Sequence, residues 1–177
     1  GRGLQLRAAL FRTEKINQRI QDSTTSVLVL AGKRRVQGIE AQLAGSIAPD
    51  WDVYAGAALM DGEIVMATAN QGRKPLGVAN FAGNLWTVVR LGAGWEAGAG
   101  HNANSGYWLN DANTAEVPGY VVADATLAYV QRKYEVRLNV YNLTDEVYYV
   151  GGYQNSGNRV IPGMPLAASL TLRYQFD

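Results

Sequence analysis

The one histidine of the chain, His101, is followed directly by Asn102 and, three residues later, by Ser105. Serine, histidine and an amide are the parts of a hydrolytic triad, with the hydroxyl as nucleophile and the imidazole as its base. A triad is a geometry, however, and neighbours in sequence do not supply it. No strained G-x-S-x-G turn is present to present a nucleophile. With no cysteine and a single histidine, thiolate chemistry and multi-histidine metal sites are excluded. No catalytic residue, metal site or cofactor is therefore expected. The net charge of +1 argues against a dedicated nucleic-acid binder. The residue types that remain suit binding. Tyr107-Trp108-Leu109-Asn110 offers aromatic rings, Tyr153-Gln154-Asn155 and Arg159 combine a ring with a cation, and Arg73-Lys74 is basic. Rings stack on planar ligands and guanidinium groups attract anions. The candidate binding residues are Tyr107, Trp108, Asn110, Tyr153, Arg159 and Arg73.

What must position them is a set of strands. Leu166, Ala168, Leu170, Leu172, Tyr174 and Phe176 alternate with Ala167, Ser169, Thr171, Arg173 and Gln175, a period of two. The same period runs through Leu4–Leu10, Ile39–Leu43, Trp51–Leu59, Val121–Tyr129 and Tyr134–Val140. It is weaker near 80–92, where Leu85, Thr87, Val89 and Leu91 compete with Trp86 and Val88, and near 92–103. Runs of this length exceed the ~5–6 residues of an average soluble strand and match the ~9–11 of a membrane-crossing one. The mean hydropathy of −0.13 conceals this, because only alternate residues meet lipid. Tight turns are expected at Gly45–Asp50, at Leu91-Gly92 and at Gln131-Arg132-Lys133. Long polar loops are expected at about 17–33, 62–78, 103–118 and 150–164. Short turns on one side and long loops on the other is the asymmetry of an outer-membrane barrel. Trp51, Trp95, Tyr129, Tyr134, Tyr174 and Phe176 fall at the turn end, where an interfacial girdle sits. His101 reads as a loop-base residue near the outer rim. Glu40, Asp124, Glu135, Arg137 and Arg173 would face the interior and serve structure first, since buried charges pair.

Several segments resemble one family. Asn142-Leu143-Thr144-Asp145-Glu146-Val147-Tyr148-Tyr149 is similar to the Asn-Leu-x-Asp-x-x-Tyr motif near the end of TonB-dependent outer-membrane receptors. Val117-Pro118-Gly119-Tyr120 with Asp124-Ala125 resembles a segment two strands earlier. Gly38-Ile39-Glu40 ahead of Ala48-Pro49-Asp50-Trp51 resembles the family's G-x-E strand, turn and Trp, and Leu170–Phe176 resembles its terminal assembly strand. Asn158–Gly163 and Val29–Gly38 look most like ferric-siderophore receptors, of the catecholate type. The family ends in Phe, whereas Asp177 follows Phe176 here.

The resemblance implies an all-β, antiparallel transmembrane barrel segment of about eight strands, with short periplasmic turns and long extracellular loops. Residues 1–177 would be the C-terminal third of such a receptor, without its plug, in a bacterial outer membrane. Implied partners are a ferric siderophore as transported ligand, the N-terminal plug and remaining strands, the TonB complex through that plug, and outer-membrane lipid and lipopolysaccharide. The aromatics at 107 and 108 would then contact ligand or form an outer girdle, and the basic residues would meet ligand or lipopolysaccharide phosphates. Gly1-Arg2-Gly3-Leu4 leads into no apolar h-region, so a leader is expected to have been removed or to lie upstream. The alternative is a complete eight-stranded barrel with a structural or adhesion role.

Overall fold

The computed structural model describes residues 3–21, 27–154 and 158–176, and the secondary structure there is all β. The strands are β1 (Gln5–Gln21), β2 (Leu28–Ala48), β3 (Trp51–Met66), β4 (Phe81–Gly92), β5 (Trp95–Trp108), β6 (Glu116–Val130), β7 (Tyr134–Tyr141), β8 (Tyr149–Gln154), β9 (Asn158–Pro162) and β10 (Ala167–Tyr174). Eight form one antiparallel sheet in the order β1-β2-β3-β4-β5-β6-β7-β10, while β8 and β9 pair as a separate hairpin. Consecutive strands pair because turns as short as Pro49-Asp50 join only antiparallel neighbours.

Register turns the alternation of single strands into rows across the sheet. Leu6, Leu43, Ala55, Leu85, His101 and Ala123 lie side by side, as do Leu10, Ile39, Leu59 and Phe81. Leu127, Leu138 and Leu170 form another such row. One face is thus apolar over all eight strands, and it is bare: Leu6 is 73% exposed, Leu10 83%, and Leu170 and Leu172 72%. A contiguous apolar face of this size is a surface made to be covered. From Trp51 to Leu59 the face rises eight residue steps, roughly 26 Å along the strand. Strand tilt reduces this to about 20 Å, comparable with a barrel's lipid band. Directly beyond it, the same face carries Arg12, Gln37 and Asp61, then Glu14, Arg35 and Glu63. At the other end Trp95 and Tyr129 lie 5.0 Å apart, Tyr129 and Tyr134 6.0 Å, and Tyr174 and Phe176 4.9 Å, forming the aromatic girdle beside the short turns.

The charges beyond the apolar band pair locally. Arg12 binds Glu14 at 2.6 Å and Lys33 binds it at 3.0 Å, while Arg35 pairs with Glu63. The hydrogen bond from Arg12, followed by that from Lys33, holds the Glu14 carboxyl below the ordinary glutamate range. A depressed carboxylate contributes stability above its unfolded pKa and loses it as pH falls through the folded value. An NMR titration of Glu14 is expected to place its midpoint below that of an unstructured glutamate, and Arg12→Gln is expected to raise it.

Three loops expected from the sequence are shorter than anticipated. β1 and β2 continue to Gln21 and from Leu28, β3 reaches Met66, and β5 and β6 leave only 109–115 between them. The polar stretch at 150–164 contains the β8–β9 hairpin. The ladder continues beyond the apolar band because backbone pairing does not require an apolar face, so alternation ceases while the strands go on. The expected turn at Gly45–Asp50 also shrinks, since β2 runs to Ala48. Residues 22–26 lie outside the description. The sheet is open, with β1 and β10 as unpaired edges. This corrects the alternative of a closed eight-stranded barrel: among the described residues no ladder joins the seventeen-residue β1 to the eight-residue β10. Such edges need further strands in lipid, where unpaired backbone groups are costly.

The other face is polar, and it resolves the ambiguity at Trp86. Tyr54, Trp86, Gly100 and Asp124 share a row there. Trp86 lies over Gly100, where an added Cβ would come within 2.6 Å of the ring and 2.1 Å of the Leu85 carbonyl. Gly38 of the G-x-E segment likewise accommodates Phe11, 2.9 Å from where a Cβ would stand. Near the short turns this face carries a chain of alternating charge. Arg90 pairs with Asp52 and lies 3.9 Å from Glu96. Arg137 lies 3.6 Å from Glu96 and 2.6 Å from Glu135. Ser46 adds a 2.6 Å hydrogen bond to Asp52. Arg137→Gln is expected to lower stability by roughly 1 kcal/mol, less in high salt, as read from unfolding midpoints in detergent.

Candidate functional site

At the loop end, three chain segments are tied into one wall. Arg34 of β2 forms an ion pair with Asp111, whose other oxygen accepts the Leu76 amide at 3.1 Å. Arg73 donates to the Ala112 carbonyl. The Lys74 amide donates to Asn113 Oδ1 at 3.2 Å, and Asn113 Nδ2 returns a bond to the Lys74 carbonyl at 2.9 Å. Asn110 and Thr114 close the 109–115 turn on each other through bonds of 2.8 and 3.0 Å. Below this wall, Ile64 and Ala79 are buried, and Pro75 and Val78 fill the space beside Gly62.

The hairpin β8–β9 is fixed at its base by the segment that carried the family resemblance. Asn142 is 1% exposed with φ of 50°, a left-handed conformation that asparagine tolerates better than most residues. Its amide nitrogen donates to the carbonyls of Glu146 at 2.9 Å and Met164 at 3.0 Å, and its oxygen accepts the Glu146 amide at 2.9 Å. The Asn142 backbone amide donates to Asp124 Oδ1 at 2.8 Å, and Asp145 accepts the Leu166 amide at 3.1 Å. One asparagine therefore joins the chain leaving β7 to the chain entering β10. Tyr148 rests 4.8 Å from Tyr120. The backbone at Gly152 packs on Leu109, whose Cδ2 lies 2.6 Å from where a Cβ would be.

The six candidate residues do not form one cluster of free side chains. Arg73 and Asn110 are engaged in loop architecture. Tyr107 and Trp108 end β5 instead of lying in a loop, and both are half-buried. Burial, with Tyr120 nearby, pushes the Tyr107 phenol above its ordinary value. Arg159 is exposed on β9, opposite Tyr153 in the hairpin register. The side chain of Tyr153 and all of Asn155 lie outside the description, as does Asp177. His101 is corrected most sharply. It sits inside β5 on the apolar face, between Leu85 and Ala123, not at the base of a loop. Asn102, one residue on, belongs to the polar face, and Ser105 Oγ accepts the amides of Asn80 and Phe81 at 3.0 and 3.1 Å. The three residues thus do not converge. Among the described residues no group of three or more metal-ligating side chains is present. The Arg34–Asp111 and Asn113–Lys74 ties were missed in the sequence. The Asn110-Asp111-Ala112-Asn113-Thr114 run, rich in turn-forming side chains, was the available signal.

The β-barrel model of TonB-dependent receptors matches residues 1–143. The chain belongs to this family. Among TonB-dependent receptors, a probable receptor of Bordetella pertussis, BfrD, is 35% identical over 98% of the chain, and the catecholate siderophore receptor Fiu of Escherichia coli K12 is 36% identical over 98%. The crystal structure of the siderophore receptor PiuA from Acinetobacter baumannii superposes with a TM-score of 0.90 at 29% identity, covering 97% of the chain and 26% of PiuA. The closed form of Fiu gives 0.87 at 33% identity, covering 98% of the chain and 25% of Fiu. The chain spans about a quarter of the length of BfrD and Fiu, less than the third expected from the sequence. The apolar face of the sheet is thus the lipid-facing wall of a TonB-dependent receptor barrel, and the polar face lines its bore.

Proposed function

We propose that residues 1–177 form the C-terminal part of the barrel wall and outer vestibule of a bacterial outer-membrane receptor that takes up a ferric siderophore of the catecholate class. The observation that carries this reading is the continuous apolar face over eight antiparallel strands, in a chain similar to siderophore receptors over almost all its length. The ligand is a transported molecule, and no bond is made or broken in it. Arg159 and Tyr153 on the hairpin, with the half-buried Tyr107 and Trp108 below, are the groups that would meet an anionic, aromatic iron chelate. Arg73 and Asn110 support them by fixing the loops. A plug and further strands would complete the bore, TonB would act through the plug, and lipid and lipopolysaccharide would cover the outer wall.

The test is uptake of radioactive iron, presented as a catecholate chelate, by cells whose only such receptor is the one carrying this chain. Saturable, TonB-dependent uptake that weakens with Arg159→Ala is expected. Uptake of a hydroxamate chelate but not of a catecholate would overturn the substrate class.

A further inference from the structure

Within the apolar band of the lipid-facing wall, one polar side chain is left to find its partner outside the fold. His101 stands between Leu85 and Ala123, it is exposed, and its imidazole has no hydrogen bond among the described residues. Thr87 on the same face is satisfied: it accepts Trp51 Nε1 at 2.5 Å and donates to the Asp52 carbonyl at 2.9 Å. A hydrogen-bonding group that faces acyl chains is costly unless it is paired. Its height is informative. His101 lies six residue steps above Trp95, the girdle residue of its own strand, or roughly 15 Å after tilt. The apolar face rises about 20 Å, so the imidazole lies in the loop-side half of the band. Beside it a recess of about 430 Å³ opens on the same face, lined by His101 with Leu43, Phe81, Leu85, Ala103 and Val121. The hollow exists because Ala57 and Gly83 pair in register between these larger neighbours. We propose that this recess seats one acyl chain of an outer-leaflet lipopolysaccharide, with the polar end of that chain on the His101 imidazole.

The recess is continuous with the lipid-facing wall and spans β2 to β6, with only Leu6 contributed by the edge strand β1. Its occupant is therefore a lipid, and the imidazole selects which one. A plain hydrocarbon chain would leave the ring unpaired. In its neutral form an imidazole carries one donor and one acceptor. The β-hydroxyacyl chain of lipopolysaccharide matches both, since its hydroxyl donates and its carbonyl, two carbons away, accepts. The ester of a glycerophospholipid only accepts. The position in the loop-side half places the ring in the leaflet where lipopolysaccharide resides, and an imidazole presents an apolar body with a polar tip that reaches toward the headgroups. The site rests on the outer-membrane placement proposed above.

The experiment titrates the delipidated full receptor in detergent with lipid A, and separately with phosphatidylethanolamine, and counts bound lipids by native mass spectrometry. One lipid A is expected to bind in preference to phosphatidylethanolamine. H101L should weaken it about fivefold, equivalent to a hydrogen bond worth roughly 1 kcal/mol, and H101Q, whose amide again offers a donor and an acceptor, should restore most of it. A103F, which fills the recess and leaves His101 in place, should weaken it as well. Equal binding to the unmutated receptor and H101L, indifference to A103F, equal binding of the two lipids, or no lipid A bound would each overturn the site. Iron uptake is expected to be unchanged in H101L, so these outcomes leave the receptor reading standing. Absence of the receptor from the outer-membrane fraction would instead overturn the placement on which the site rests.

Discussion

Asn142→Ala is expected to be among the most damaging single substitutions outside the lipid-facing wall. The side chain is buried and holds both carbonyls and the amide that join β7, the hairpin base and β10. Alanine leaves those groups without partners in a site closed to water, and it disfavours the left-handed backbone as well. Each orphaned group costs about 1–3 kcal/mol, so a total of roughly 3 kcal/mol is expected after local relaxation. Asn142→Gly separates the two causes, since it keeps the backbone conformation and loses only the side-chain bonds. Unfolding midpoints should rank wild type above both variants, with glycine less harmed than alanine. Limited proteolysis should cut first between Tyr149 and Pro162. Equal stability of the three proteins would show that the asparagine does not act as a clamp.

Leu138→Arg should be costly for a different reason. Leu138 lies beside Leu127 and Leu170, four residue steps from Tyr134, or roughly 10 Å above the girdle after tilt. Arginine near the centre of a barrel's lipid band costs about 2–4 kcal/mol. Ser169→Arg, one residue from Leu170 but on the polar face, should cost no more than about 0.5 kcal/mol. Unfolding of the full receptor from lipid vesicles in urea measures both. A similar loss for the two variants would mean that the faces do not differ as described.

These two substitutions mark where the sequence was readable. Leu138 and Leu170 stand in runs whose alternation survives because each strand must satisfy lipid on one side and water on the other. The period therefore revealed the strands, the faces and the girdle. Above the band that demand ends. The upper parts of β1, β2 and β3, and all of β8 and β9, are held by backbone pairing and local ion pairs, so nothing periodic marked them. His101 was misplaced because a lone polar residue in a weakly alternating strand resembles a loop residue until register fixes its neighbours. The Asn142 segment was visible as a family resemblance, but its role depends on Met164, twenty-two residues away, and only the fold brings the two together. The candidate binding residues were the least readable part. Aromatic and basic types were the available signal, but which of them are free and which fasten loops, as Arg73 and Asn110 do, is decided by partners that only the fold brings together.

The most direct test is collision accessibility of nitroxide labels placed singly at Arg137, Leu138, Leu172 and Arg173 of the full receptor in outer-membrane vesicles. Labels at 138 and 172 should collide with oxygen dissolved in lipid, and labels at 137 and 173 with a water-soluble nickel reagent. Water at 138 and 172 together with lipid at 137 and 173 would contradict the account.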